Sequence, residues 1–499
     1  MKDILHPKDE REPLVLKGEW WSPADTTKTL SGTMNFEIGG DSDLELLGAF
    51  DPKNGHSIDV VRGRCIPTLH ATLLRCVSIG GSRNFGHGLY SEVSKFRFID
   101  AWIGEMGFNS EAEIMFDSYS FGITNLDAWH FSECFTTDEY KFGEPIVIRY
   151  TPPDPVTLFV DDIVRIELIY QYRGPTQELV QNSSTIEHVP RIVIRSLHGR
   201  LPYYGDEKSF RYYEYRIASL FGALIGVSAA VYGRCGHVHQ TIEDCDGKVL
   251  PTSCTVRYFN RRDFPVKLLQ RQFFDKIFIP YPLIKDSVQS ISSKFFALNK
   301  DVIQLVDRLA YIRSTRAAIP YAGVPELVFM FEGLARNLYA RDVVVWPSQM
   351  PGYAQHESRR QQVKQMLASE IELSNWTFKK LKLSPPILKR LFETARQKVK
   401  DACLYCDDVE GFGQYVEYLR MKRDGFAHSE TKNAGHEKMD VPAYYWLHAF
   451  MIIMVLVECG VDSKLIRNRL PCCSDFRWAM DTFKDEFYNG TMSVPKEEV

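Results

Sequence analysis

Near Pro280-Tyr281-Pro282 the apolar residues stop recurring at alternate positions and begin to recur at three- and four-residue steps. Alternation is the signature of a strand with one buried face, and the longer step that of an amphipathic helix, so the chain cannot be one uniform layer. Ahead of the change, Met34, Phe36 and Ile38 alternate with polar residues, Gly39-Gly40-Asp41 turns the chain, and Leu44 and Leu46 resume the pattern, which predicts a hairpin. Further strands are predicted at Lys95–Ile99, Ile146–Tyr150, Val164–Ile169, Arg191–Ile194 and Thr255–Phe259, with one helix from about Tyr212 to Val231. Behind it, Pro325 opens a helix striped by Leu327, Val328, Phe331, Leu334 and Leu338. Pro385-Pro386 opens another, with Leu388, Leu391, Phe392, Ala395, Val399 and Ala402 on one face. A third starts at Asp440 and Pro442, closes at Gly460 and is apolar nearly all round, as the centre of a bundle must be.

The expectation is an α+β multidomain protein, since 499 residues exceed one ordinary hydrophobic core. A β-rich domain occupies residues 1–280, a helical linker 281–320, and an all-α bundle 321–490. A net charge of −4 excludes a generally basic nucleic-acid binder but leaves room for a local basic groove. The N-terminus has no apolar run of signal-peptide length. Ile217–Val231 and Tyr444–Val457, the latter with His448 inside, fall short of the ~20 residues that span a bilayer and read as buried helices. Eleven cysteines at irregular spacing fit reduced thiols. The expected setting is cytoplasmic, with no membrane partner and no cofactor.

Arg423-Asp424-Gly425-Phe426-Ala427-His428 pairs the two side chains that metal-independent RNA cleavage needs. Histidine exchanges protons near neutral pH, and arginine grips phosphate oxygens through a planar fork of donors. A second arginine–histidine pair with the same spacing, Arg234 and His239, shows that spacing alone decides nothing. Around Arg234 the pattern is strand-like; around Arg423 it is helical, through Phe412, Tyr415, Val416 and Leu419. In an unbroken helix the two side chains would lie about 140° apart, so Gly425 is expected to end or bend it.

Other groups have competing readings. Cys235, His237 and His239 share a strand face, and with Cys245 and Cys254 they make a candidate zinc set whose spacing fits no established module. Cys403 and Cys406, at a helix end and without a partner pair, read as core. Lys389, Arg390, Arg396, Lys398 and Lys400 flank an apolar stripe and make a candidate RNA-tracking surface, against the alternative of a solvated helix face. Trp20 and Trp21 could stack on a ligand, but fit a β-rich core better.

Arg423-Asp424 and His428, between helices of a C-terminal bundle, resemble the signature of HEPN ribonucleases. Gly18-Glu19-Trp20-Trp21-Ser22-Pro23, Ser31-Gly32-Thr33-Met34-Asn35-Phe36 and Leu44-Glu45-Leu46-Leu47-Gly48 resemble the N-terminal domain of ApeA-type anti-phage proteins. The resemblance implies an abortive-infection nuclease that acts as a homodimer, with facing motifs in one cleft and an unidentified phage-derived trigger sensed by the front domain. It implies cleavage of RNA, transfer RNA among the candidate substrates, to 2′,3′-cyclic phosphate and 5′-hydroxyl ends. Arg423 and His428 would be catalytic. Asp424 stands where the family often has Asn, and is expected to orient Arg423 or His428. Glu332, with Arg336 one turn later, falls where some HEPN nucleases carry a supporting glutamate, although the two also make an ordinary helix ion pair. Two alternatives remain: a degenerate bundle that binds RNA or a phage component without cutting, and a metal-dependent hydrolase centred on Cys235, His237 and His239.

Overall fold

Among the described residues, thirteen strands join edge to edge in the front half of the chain, through antiparallel ladders throughout. The computed structural model describes residues 13–50, 57–86, 89–131, 134–137, 148–178, 183–205, 207–243, 249–261, 273–314, 323–339, 387–403, 406–407, 409–427 and 437–472, with single positions or pairs at 358, 361–362, 365, 477–478 and 481–482. The strands are β1 (Leu14–Ser22), β2 (Asp25–Phe36), β3 (Ser42–Leu47), β4 (Ser57–Cys65), β5 (Leu69–Gly86), β6 (Leu89–Arg97) and β7 (Asp100–Gly104). After them come β8 (Ser118–Ile123), β9 (Val156–Val160), β10 (Val164–Glu178), β11 (Ser183–Ser196), β12 (Val231–Glu243) and β13 (Val249–Asn260). Their order is β9-β10-β11-β8-β12-β13-β7-β5-β4-β1-β2-β3-β6, and β6 pairs with β5 as well as β3.

That extra pairing closes β5, β4, β1, β2, β3 and β6 into a barrel. β5 serves both structures. Its first half lies between β4 and β7, and its second half, from Val77 on and through a bulge between Ser78 and Gly80, pairs with β6. Bulges bend a strand in this way. Alternate residues Leu16, Trp20, Met34, Phe36, Leu44, Leu46, Val61, Leu73 and Phe96 fill the interior. The predicted hairpin is β2–β3, with Met34 opposite Leu44 and Phe36 opposite Ser42. Trp20 is fully buried and Trp21 half-buried, with the Arg62 guanidinium 5.3 Å from its ring centre. Gly63 makes room for Trp20, because a Cβ there would stand 2.5 Å from the indole.

The rest of the sheet runs open from β7 to β9. One face, with Tyr119, Phe121, Ile166, Leu168, Ile192 and Ile194, is buried, and α1 (Phe210–Ile225) meets it through Phe210 and Glu214. The sequence reading carries this helix on to Val231. It ends at Ile225 instead, where Gly226 takes the left-handed conformation at φ 86° and returns its N–H to Gly222, and Val231 already opens β12.

Contacts divide the chain into two compact units. One comprises Met1–Phe221, Ser228–Phe274 and Pro280–Pro282; the other comprises Gly222–Val227, Asp275–Ile279 and Leu283–Val499. The second holds α2 (Val288–Phe296), α3 (Lys300–Ser314), α4 (Gly323–Tyr339), α5 (Ile387–Val399), α6 (Val409–Ala427), α7 (Glu437–Glu458) and α8 (Ser463–Arg469). Helices α2 and α3, in the span read as a linker, therefore count with the bundle. α4 packs on α3, α5, α6 and α7, and α7 packs on α3, α4 and α5. Phe331 and Phe392 stack with centroids 3.7 Å apart, and Phe412, Trp446 and Phe450 continue the aromatic core. His448, buried in α7, reaches the Leu309 carbonyl at 2.7 Å. Among the described residues one helical stretch, Asp440–Glu458, is long and apolar enough to cross a membrane, yet 72% of it is buried inside the fold.

Candidate active site

Helix α6 exists because Phe412, Tyr415, Val416 and Leu419 make a continuous buried stripe toward the bundle. The helix continues through Gly425 to Ala427. The helix therefore does not end at Gly425, although a glycine in a helix interior costs about 1 kcal/mol. His428 itself lies outside the described residues, as does Cys245.

Glu417, Arg420 and Asp424 occupy one face of α6 by their three- and four-residue spacing, and Arg423 stands beside them. Each of the three guanidinium nitrogens of Arg423 donates to a carboxylate. Its Nη1 donates to Glu332 Oε1 on α4, a residue 91 positions earlier in the chain. Its Nε and Nη2 donate to Asp424 Oδ1 at 3.0 and 2.7 Å. The second Asp424 oxygen, Oδ2, accepts from Arg420 Nη1 at 3.0 Å. Arg420 Nε in turn donates to Glu417 Oε1 at 2.8 Å, and Lys389 Nζ of α5 stands 2.6 Å from Glu417 Oε2. Burial pushes the Glu417 carboxyl up, but the hydrogen bonds from Arg420 and Lys389 outweigh it and hold the group below its ordinary range. Across α6, Asp440 at the start of α7 accepts from Tyr418 and Lys422. The last turns of α6 are thus tied to α4 on one side and α7 on the other.

The structure therefore brings Glu332, Arg423 and Asp424 together. Arg336, one turn along α4, is exposed and makes no ion pair among the described residues. The five basic candidates on α5 separate. Lys398 and Lys400 are exposed, whereas Lys389 is paired with Glu417 and Arg390 is half-buried. Arg396 is not a surface residue: 5% exposed, it donates two bonds to Glu393 and a third, of 2.6 Å, to the Cys406 carbonyl. Its place is the bundle interior, beside the buried Cys403 and Cys406. Sequence reasoning missed Arg420 and Glu417. Their spacing with Asp424 was the available signal, and a ladder of alternating charges was hidden in it.

The second arginine–histidine pair is of another kind. Arg234 is 11% exposed and its Nε lies 3.0 Å from Glu214 Oε1, whose other oxygen accepts from the buried Tyr119 hydroxyl. That triad is part of the packing between α1 and the sheet. Nearby, His237 lies between Ser120 Oγ at 3.2 Å and Thr255 Oγ1 at 3.3 Å, and burial, with Arg191 next, lowers its pKa. Cys254 is directly opposite Val238 in the β12–β13 ladder, so it shares a face with Val238 and not with His237 and His239. Among the described residues no group of three His, Cys, Asp or Glu side chains could hold a metal ion.

Fold and site define a two-unit α+β protein, with a barrel-led β unit and a helical unit that carries a clustered Arg–Glu–Asp site. Residues 16–200 match the family model described as ApeA N-terminal domain 1, which supports an ApeA-type protein. The match takes in the barrel from Leu16 of β1 onward and continues through β11. No curated protein and no solved structure gives a significant match.

Proposed function

We propose that the chain is an anti-phage defence ribonuclease whose helical unit is a HEPN-like bundle, cutting RNA without a metal ion and halting the growth of infected cells. The observation that carries this reading is the junction of Arg423 with Glu332 at the end of the helix that leads into His428. The matched ApeA domain supports the defence role.

In this reading the RNA 2′-hydroxyl loses its proton and attacks the adjacent phosphorus, and the 5′-oxygen leaves with a proton. His428 moves a proton, and Arg423 balances the charge that grows on the phosphate oxygens. The products are a 2′,3′-cyclic phosphate and a 5′-hydroxyl. Because α6 continues through Gly425 as far as Ala427, five-residue spacing on one helix sets side chains about 140° apart, which favours a cleft shared by two copies related by a two-fold axis. RNA would enter by displacing a carboxylate from Arg423, and a phage-derived trigger must bind the open state more tightly than the idle one to shift the balance.

A non-catalytic reading, in which the bundle binds RNA or a phage component, draws on the same geometry: Arg423 Nε, Nη1 and Nη2 all face the protein's own carboxylates. Cleavage assays separate the two. The ribonuclease cuts in chelator and fails on RNA carrying a 2′-deoxy substitution at the cut site, whereas efficient cutting of all-DNA substrate would rule its mechanism out.

A further inference from the structure

We infer that Arg420 is a positioning residue for the Arg423 site, acting through Asp424; this rests on the ribonuclease reading. A carboxylate next to a phosphate is a problem that the site must solve, because like charges repel and a free aspartate would compete with the phosphate for Arg423. Asp424 is bound by two arginines at once. Oδ1 takes the Nε and Nη2 of Arg423, and Oδ2 takes Arg420 Nη1 at 3.0 Å. Arg420 thereby offsets part of the negative charge of Asp424 and holds its carboxylate so that Oδ1 meets the edge of Arg423.

Arg420 is itself held. Glu417 grips its Nε, and Lys389 of α5 grips Glu417, so the chain Lys389–Glu417–Arg420–Asp424–Arg423–Glu332 alternates in sign from α5 along α6 to α4. Three cations and three anions cancel, and the members are 17–36% exposed, sheltered enough for each pairing to constrain the next. Arg420 donates to both Glu417 and Asp424, and Asp424 carries its influence to Arg423. Its effect on cleavage should therefore depend on the charge at position 424, which a purely structural ion pair would not require.

The test uses the full-length protein, total bacterial RNA as substrate, and counts of 2′,3′-cyclic phosphate ends. Arg420→Ala is expected to lower cleavage by up to about 100-fold, the scale of a misplaced binding group. Asp424→Asn alone should have a smaller effect, and the double variant Arg420→Ala/Asp424→Asn should recover to the level of Asp424→Asn. Retention of 2′-O-methyl RNA, which cannot be cut, should follow the same order. A double variant as impaired as Arg420→Ala in both measurements, with an unchanged melting temperature, overturns the positioning role; so does a fully active Arg420→Ala. His428→Ala separates the two levels of inference. If it is inactive while Arg420→Ala is unaffected, only the role of Arg420 fails; if it cleaves like wild type, the ribonuclease reading fails and takes this role with it.

Discussion

Two arginines of the helical unit show how little residue type says about role. Arg396 and Arg423 each hold carboxylates, but Arg396 is buried against the Cys406 carbonyl while Arg423 keeps a quarter of its side chain exposed, 24%. Truncating Arg396 removes its bond to that carbonyl and both of its bonds to Glu393, which keeps Gln397 as a donor, so Arg396→Ala should cost about 1.5–3 kcal/mol in denaturant unfolding. Lys398→Ala and Lys400→Ala, at exposed positions, should leave stability within about 0.5 kcal/mol. If Arg396→Ala were as stable as wild type, its place in the interior would be wrong. The apolar stripe of α5 was readable from residue spacing, down to Ala402. The burial of Arg396 was not, because it follows from a carbonyl ten positions away that only the turn after α5 brings back. Glu332 was found through a family resemblance; spacing alone offered an ion pair with Arg336, and the structure gives Glu332 to Arg423.

Among the elements, the helices were the more legible, since each carries its period within one continuous stretch. The hairpin β2–β3 was legible for the same reason. Barrel closure was not: it depends on β5 changing partners past Arg75, a long-range choice that no local pattern records. The barrel predicts that Gly63→Ala, by forcing a Cβ against Trp20, destabilises the front unit by about 1–3 kcal/mol in thermal or denaturant unfolding. In the bundle, Phe392 is fully buried between Phe331 and Phe450, and Phe392→Ala should cost about 3–5 kcal/mol. The α5–α6 tie adds a pH dependence. Glu417 is held below its ordinary pKa in the fold, so its stabilisation is present above the unfolded value of about 4.3 and lost as the pH falls through the folded one. Glu417→Gln should therefore flatten the acid side of the stability curve. An acid limb identical to wild type would mean that Lys389 and Arg420 contribute nothing there.

At the scale of the whole molecule, one chain combines a front unit matched to an ApeA domain with a helical unit whose Arg423 is occupied by the protein's own carboxylates. In the ribonuclease proposed above, resting with its phosphate-binding group filled would keep the enzyme safe to its host, and infection would have to change that balance. The central claim is that RNA is cut through Arg423 and His428. The most direct measurement maps RNA ends in phage-infected cells that carry the wild-type protein or its His428→Ala variant. The account predicts new 2′,3′-cyclic phosphate and 5′-hydroxyl ends with the wild type and none with the variant; the same ends at the same abundance in both would contradict it.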